Sequence, residues 1–177
     1  MALRNLTPDL IIADLTDLHL DDLAARGVQA ILLDLDNTVC RWHSEEIPED
    51  RDAWVRAATE RFKVCLVSNS IHPERLNRIA ERFGIPAVGR WGLGRKPFAG
   101  AIMTALKQID VQPAHAVMIG DQIMTDVWGG NRLGLFTVWV KPMASNEFFG
   151  TKPARFMEHL LMPRFRKAGL IPEGWED

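Results

Sequence analysis

Val28-Gln29-Ala30-Ile31-Leu32-Leu33-Asp34-Leu35-Asp36-Asn37-Thr38 begins as a nearly unbroken apolar run and ends in acid, amide and hydroxyl. Such a run, without helical period, fits a strand buried on both faces, the mark of a parallel sheet. Similar runs recur at Val64 to Val67, Ala116 to Ile119 and Leu135 to Val140, with a weaker one at Pro86 to Val88. Between them, helical period predicts helices near 49–62, 73–83, 97–109 and 124–133, with Gly84 and Gly134 as C-terminal stops. Apart from the first 27 residues the chain therefore alternates strand and helix. Right-handed crossovers build that rhythm into an α/β, doubly wound, Rossmann-like parallel sheet with helices on both faces.

The 177 residues suit one domain, 1–177, with an N-terminal extension at 1–27 and a basic C-terminal tail at 151–177. Hydrophobic residues make up 47% and charged residues 25%, the composition of a chain that folds alone. A net charge of −2 gives no general attraction for nucleic acid. Two cysteines are too few for a disulfide scaffold, and Asp9, Asp14 and Asp17 interrupt the apolar N-terminus, excluding a signal peptide or spanning helix there. These features predict a cytoplasmic protein.

In a doubly wound sheet the ligand crevice lies beyond the carboxyl ends of the strands. There the sequence places Asp34, Asp36, Asn37 and Thr38, then Ser68, Asn69 and Ser70, then Gly120, Asp121 and Asp126, with Lys96 opening the third helix. Four carboxylates at one sheet end require a hard cation, and Mg²⁺ is the natural occupant. Ser68 and Lys96 add a hydroxyl and a fixed positive charge suited to phosphate oxygens. Acids, metal and phosphate clamp together imply phosphoryl transfer. Asp34 would attack phosphorus and form an aspartyl-phosphate, and Asp36 would protonate the leaving oxygen and later deprotonate water.

These residues carry a resemblance to the haloacid-dehalogenase (HAD) superfamily phosphatases, subfamily IIIA, of the YqeG type. It extends from Leu6 to about Leu161. The first motif, DxDxT, stands as Asp34 to Thr38, which implies Asp34 as nucleophile and Asp36 as general acid/base, the latter also offering its backbone carbonyl to metal. The second motif's hydroxyl matches Ser68, the third motif's lysine matches Lys96, and the fourth matches Asp121 and Asp126. The resemblance implies Asp121 as a direct metal ligand, with Asp126 acting through water or by holding Lys96. Leu6-Thr7-Pro8-Asp9, leading to Leu23 and Gly27, resembles the YqeG type too. Eukaryotic relatives of that type act on phosphatidylglycerophosphate, so the resemblance implies an anionic phospholipid phosphate as substrate.

Singly, each signal has a plainer reading: Ser68 a helix cap, Lys96 a solvated charge, Asp121 a turn residue. The conjunction, at intervals of 34, 28 and 25 residues after Asp34, makes them a site. Asn69 and Ser70 read first as caps of the next helix, their backbone N–H groups still within reach of phosphate, so Thr38, Ser68, Asn69 and Lys96 form the expected phosphate-binding set. The loop Gly89 to Lys96 is no nucleotide-triphosphate motif, because Pro97 stands where Ser or Thr is required. Arg90 and Arg95 read equally as substrate attractors or solvated charges. Cys40, His43, Cys65 and His72 lack zinc-site spacing, and Cys65 reads as a buried filler. Trp42 and His43 follow the catalytic loop, where they line the substrate entrance or pack.

Only 29 residues separate Thr38 from Ser68, and 27 separate Ser68 from Lys96, which leaves no room for a cap domain. The site should be open and suit a bulky substrate unless a homo-oligomer partner covers it. In the tail, Arg155, His159, Arg164, Arg166 and Lys167 interleave with Phe156, Met157, Leu160, Leu161, Met162 and Phe165. Pro163 is expected to break this helix, which favours docking on the domain or a second subunit over peripheral contact with an anionic membrane. Two rival readings are a phosphorylation-receiver module, whose acid pair normally precedes the phosphoacceptor by a βα unit, and a non-catalytic scaffold, usually marked by loss of Asp34, Asp36 or Lys96.

Overall fold

A computed structural model describes residues 3–69, 72–89, 94–143, 152–172 and 175, with the backbone alone at 3, 4 and 152–158. Ser70, Arg90 and the loop 91–93 lie outside the described residues, as do the side chains of Arg155, Phe156 and Met157.

Six parallel strands form one sheet in the order β1-β6-β5-β2-β3-β4. They are β1 (Leu10–Ile12), β2 (Ala30–Leu33), β3 (Lys63–Ser68), β4 (Ala87–Gly89), β5 (Ala116–Gly120) and β6 (Phe136–Val140). The helices are α1 (Leu20–Ala25), α2 (Glu49–Arg61), α3 (Pro73–Phe83), α4 (Ala99–Ile109), α5 (Trp128–Leu133) and α6 (Lys152–Lys167). Side chains alternate across a strand, so Ile31 and Leu33 face the cluster of Trp54, Val55, Ala58, Leu76 and Ile79 from α2 and α3. Ala30 and Leu32 face the opposite cluster with Ala101, Ile102 and Ala105 of α4. Burial on both faces is why β2, β3, β5 and β6 read as continuous apolar runs. Gly84 and Gly134 end α3 and α5 at φ of 65° and 80°, left-handed conformations that glycine adopts without steric cost.

Three features depart from the sequence reading. The stretch 1–27, set apart as an extension, supplies β1 at the sheet edge, where Leu10, Ile11 and Ile12 pair with Val138, Trp139 and Val140. The helix expected at 124–133 starts as a π-helical turn, Ile123–Val127, before α5. Pro163 does not break α6, which runs through it for 16 residues. Leu161, Met162 and Phe165 are buried against Ile11, Ile123, Val127 and Trp139, and this packing outweighs the lost hydrogen bond. The tail thus docks on its own domain. No helix among the described residues is long and apolar enough to cross a membrane.

Candidate active site

The central strand β2 runs between β5 and β3, so the residues following these three strands converge at one sheet edge. Asp34 continues β2, with its N–H donating to Ile119 C=O at 2.9 Å. Asp121 follows β5, and Asp126 sits on the π-helical turn. All three are buried, and one carboxylate oxygen from each lies within 4.8 Å of the others. Lys96, only 1% exposed, reaches into this group. Its Nζ contacts Asp34 Oδ1 at 2.5 Å and Asp126 Oδ1 at 2.6 Å. Asp34 of the first motif, Lys96 of the third and Asp121 and Asp126 of the fourth are therefore together, with Lys96 paired to Asp126.

The electrostatics follow from enclosure. Burial pushes the Asp34 carboxyl up to about 7; Lys96 opposes this, while Asp126 and Asp36 add to it. Burial alone would lower Lys96, but Asp126 and Asp34 outweigh it and hold the ammonium above the usual lysine value. Three carboxylates face one ammonium, an excess of negative charge held on hard oxygen donors. That donor set fits a divalent cation.

Asp126 is fixed from two sides, since its Oδ2 also accepts the Gln122 N–H at 3.1 Å. Gly120 is required beside it, because a Cβ at that position would collide with the Asp126 carboxylate. The Asp121 carbonyl accepts the Trp139 indole N–H at 2.8 Å. That indole packs in turn on Phe165 and Trp175, with ring centroids 6.0 and 5.3 Å away.

Ser68 is buried at the carboxyl end of β3, level with Gly89 of β4. Asn69 does not cap α3, whose first turn receives no side-chain cap from His72. Its side chain instead holds the Lys96 backbone, accepting the N–H at 2.9 Å and donating to the C=O at 3.0 Å. Thr38 is fully enclosed, and among the described residues its hydroxyl meets no hydrogen-bond partner. Its carbonyl accepts from Arg51 Nη1. The Thr38 side chain is therefore enclosed, with no described group of the chain bonded to its hydroxyl.

Asp36 stands apart from the three-carboxylate group. Its Oδ1 forms an ion pair with Arg75 Nη1 at 2.8 Å and accepts the His43 N–H at 3.3 Å. Arg75, buried on α3, also donates to Ser44 C=O through Nε at 2.9 Å and to Cys40 Sγ through Nη2 at 3.1 Å. The loop leaves regular geometry at Asn37 and His43, with φ of 61° and 60°. Arg51 and Arg75 were not singled out by sequence reasoning. The available signal was their position: each shares the buried stripe of its helix, Arg51 with Trp54, Val55 and Ala58, and Arg75 with Leu76, Ile79 and Phe83. Beside Arg75 opens a cavity of about 440 Å³ bordered by His43, Glu45, His72, Glu74 and Arg78. The exposed Trp42 ring lies 3.9 Å from that of His43.

Its family and relatives make the chain a phosphatase of the haloacid-dehalogenase type, a phosphoric monoester hydrolase. The chain belongs to the mitochondrial PGP phosphatase family, whose model matches residues 2–143. It is 32% identical over 171 residues to a Bacillus subtilis protein called probable phosphatase YqeG, covering 96% of each chain. It is 28% identical to the chloroplastic phosphatidylglycerophosphate phosphatase 1 of Chlamydomonas reinhardtii, over 93% of this chain and 64% of that one. The corresponding Arabidopsis thaliana enzyme, chloroplastic and mitochondrial, is 27% identical over 93% of this chain and 49% of its own. In structure, an uncharacterised Listeria monocytogenes protein matches with a TM-score of 0.55 at 17% identity, over 77% of this chain and 99% of that one. This last likeness is one of fold.

Proposed function

We propose that the protein hydrolyses the terminal phosphomonoester of phosphatidylglycerophosphate, with Mg²⁺ held by Asp34, Asp121 and Asp126 and by the Asp36 carbonyl. The observation that carries the chemistry is the buried group of Asp34, Asp121 and Asp126 clasped by Lys96. Support for the lipid comes from two relatives of that name and from the short connections around the site. Between β2 and β3 the chain has a loop and α2, and between β3 and Lys96 the described elements are α3 and β4, so no inserted domain stands over the site.

A Mg²⁺ ion held by these residues would supply charge neutralisation to the transferring phosphoryl group. Ser68 and Lys96 hold those oxygens, with the backbone N–H of Asn69 as a further donor. An Asp34 carboxylate oxygen attacks phosphorus; as that bond forms, the bond to the substrate oxygen breaks and the oxygen takes a proton from Asp36. Water then attacks the aspartyl-phosphate and gives a proton to Asp36, and the phosphorus–Asp34 bond breaks to release inorganic phosphate. The cavity beside Arg75, the residue paired with Asp36, would give the departing alcohol a place to lie.

The test is phosphate release, with and without Mg²⁺, from phosphatidylglycerophosphate in mixed micelles, sugar phosphates, nucleotides and phosphopeptides. Strong preference for the lipid, dependent on Mg²⁺ and lost in Asp34→Asn, is expected. Weak release from every substrate would remove the lipid from the reading, and no release would revive the non-catalytic scaffold.

A further inference from the structure

We infer that Arg75 is a positioning residue for the reaction, holding the Asp36 carboxylate by Oδ1 so that Oδ2 faces the leaving oxygen. The inference rests on the reading of Asp36 as the group that exchanges a proton with the leaving alcohol and with water.

Arg75 reaches the site from outside the four motifs. It stands in the first turn of α3, and its guanidinium crosses to the loop that follows Asp34. One planar fork spans that loop: Nη1 on Asp36 Oδ1 at 2.8 Å, Nη2 on Cys40 Sγ at 3.1 Å, and Nε on Ser44 C=O at 2.9 Å. Both contacts described for the Asp36 carboxylate fall on Oδ1, the second being the His43 N–H. An arginine needed only to close the loop would be satisfied by carbonyls and the thiol. Here one of its nitrogens is given to the carboxylate.

The side chains of Arg75 and Asp36 are 7% and 19% exposed, so water competes weakly for the pair. The Arg75 contact falls on Oδ1, which leaves Oδ2 for the proton exchanged in both halves of the reaction. A carboxylate turning freely about its last torsion would face the leaving oxygen only part of the time, and fixing it removes that entropic loss from each turnover. Lysine carries the charge but not the fork, so it can hold Asp36 or the loop, not both.

The test compares two substrates in the full-length protein with Mg²⁺: p-nitrophenyl phosphate, whose leaving group departs without a proton, and hexyl phosphate, whose leaving group requires one. Arg75→Met is expected to lower kcat on hexyl phosphate by about 30-fold and on p-nitrophenyl phosphate by about 3-fold, with KM changed less than about 2-fold. Arg75→Lys should recover part of the loss on hexyl phosphate. In an Asp36→Asn background, Arg75→Met should cost nothing further on hexyl phosphate, because the group it positions is already gone. Equal losses on both substrates, a rise in KM with kcat preserved, or the same further loss in Asp36→Asn would overturn the inference. If Arg75→Met does not fold, Arg75→Lys carries the same comparison with the same overturning outcomes. Asp36→Asn alone separates the two levels of argument. If it fails to discriminate between the substrates, the reading of Asp36 falls and the inference with it; if it discriminates and the Arg75 variants do not, the inference alone falls.

Discussion

Asn69 and Lys96 are tied by two reciprocal hydrogen bonds, the Asn69 amide accepting the Lys96 N–H at 2.9 Å and donating to its C=O at 3.0 Å. The residue after β3 thereby sets the height at which Lys96 enters the carboxylate group. Asn69→Ala should lower kcat about 10-fold and destabilise the fold by about 1–2 kcal/mol, since two backbone groups lose their partner together. Asn69→Asp should fall in between, keeping the acceptor and losing the donor. Phosphate-release kinetics with urea titration measure both effects, and wild-type kcat in Asn69→Ala would show that the tie is dispensable.

Lys96 is the ammonium shared by two buried carboxylates, so Lys96→Met leaves both uncompensated. Breaking a buried pair from one side costs about 3–5 kcal/mol. Removing the second charge as well, in Lys96→Met with Asp126→Asn, should return part of that stability while activity stays lost. A shift of the urea midpoint reads the first effect. A double variant less stable than the single one would argue against this account.

Asp34 links acidity to stability. Its carboxyl rises from 3.8 to about 7 on folding, so the folded protein takes up a proton between those values. Its contribution is therefore most favourable at low pH and is progressively lost as pH climbs through that window. A divalent cation competes with the proton, so Mg²⁺ should raise Tm more at pH 8 than at pH 5. In Asp34→Asn the pH dependence of that gain should flatten. Thermal melts of both proteins at the two pH values check this, and a larger gain at pH 5 would reverse the assigned sign.

Gly120 is the point where the end of β5 passes the Asp126 side chain, and a methyl group there meets the carboxylate. Asp126 cannot easily give way, because Lys96 and the Gln122 N–H hold its two oxygens. Gly120→Ala should fold, yet lose more than about 10-fold in kcat together with much of its thermal stabilisation by Mg²⁺. Unchanged Mg²⁺ stabilisation would mean that the carboxylate relocates without consequence.

Much of this architecture is written locally. The runs that became β2, β3, β5 and β6 stand out because both faces of each strand are covered, and the residues that follow them are polar because they form the crevice. β1 escaped because an edge strand of three residues, Leu10 to Ile12, gives too short a run to separate from its acidic surroundings. The continuity of α6 escaped because what keeps Pro163 within a helix is tertiary packing by Leu161, Met162 and Phe165. In the site, Asp34, Lys96, Asp121 and Asp126 were legible from order and spacing. The bonds of Asn69 to Lys96 and of Arg75 to Asp36 were not, because each joins segments tens of residues apart whose facing is known only once the sheet is assembled.

Trp139 gives the chain an unusual economy of support. Its indole N–H is bonded to the carbonyl of Asp121, while its ring is packed between Phe165 and Trp175. Those two aromatics lie beyond residues 2–143, the part matched to the family. The stretch matched to the family thus rests one of its acidic residues on a buttress made outside that stretch. Members that share every motif but differ in their final helix would present the same acids on differently braced ground.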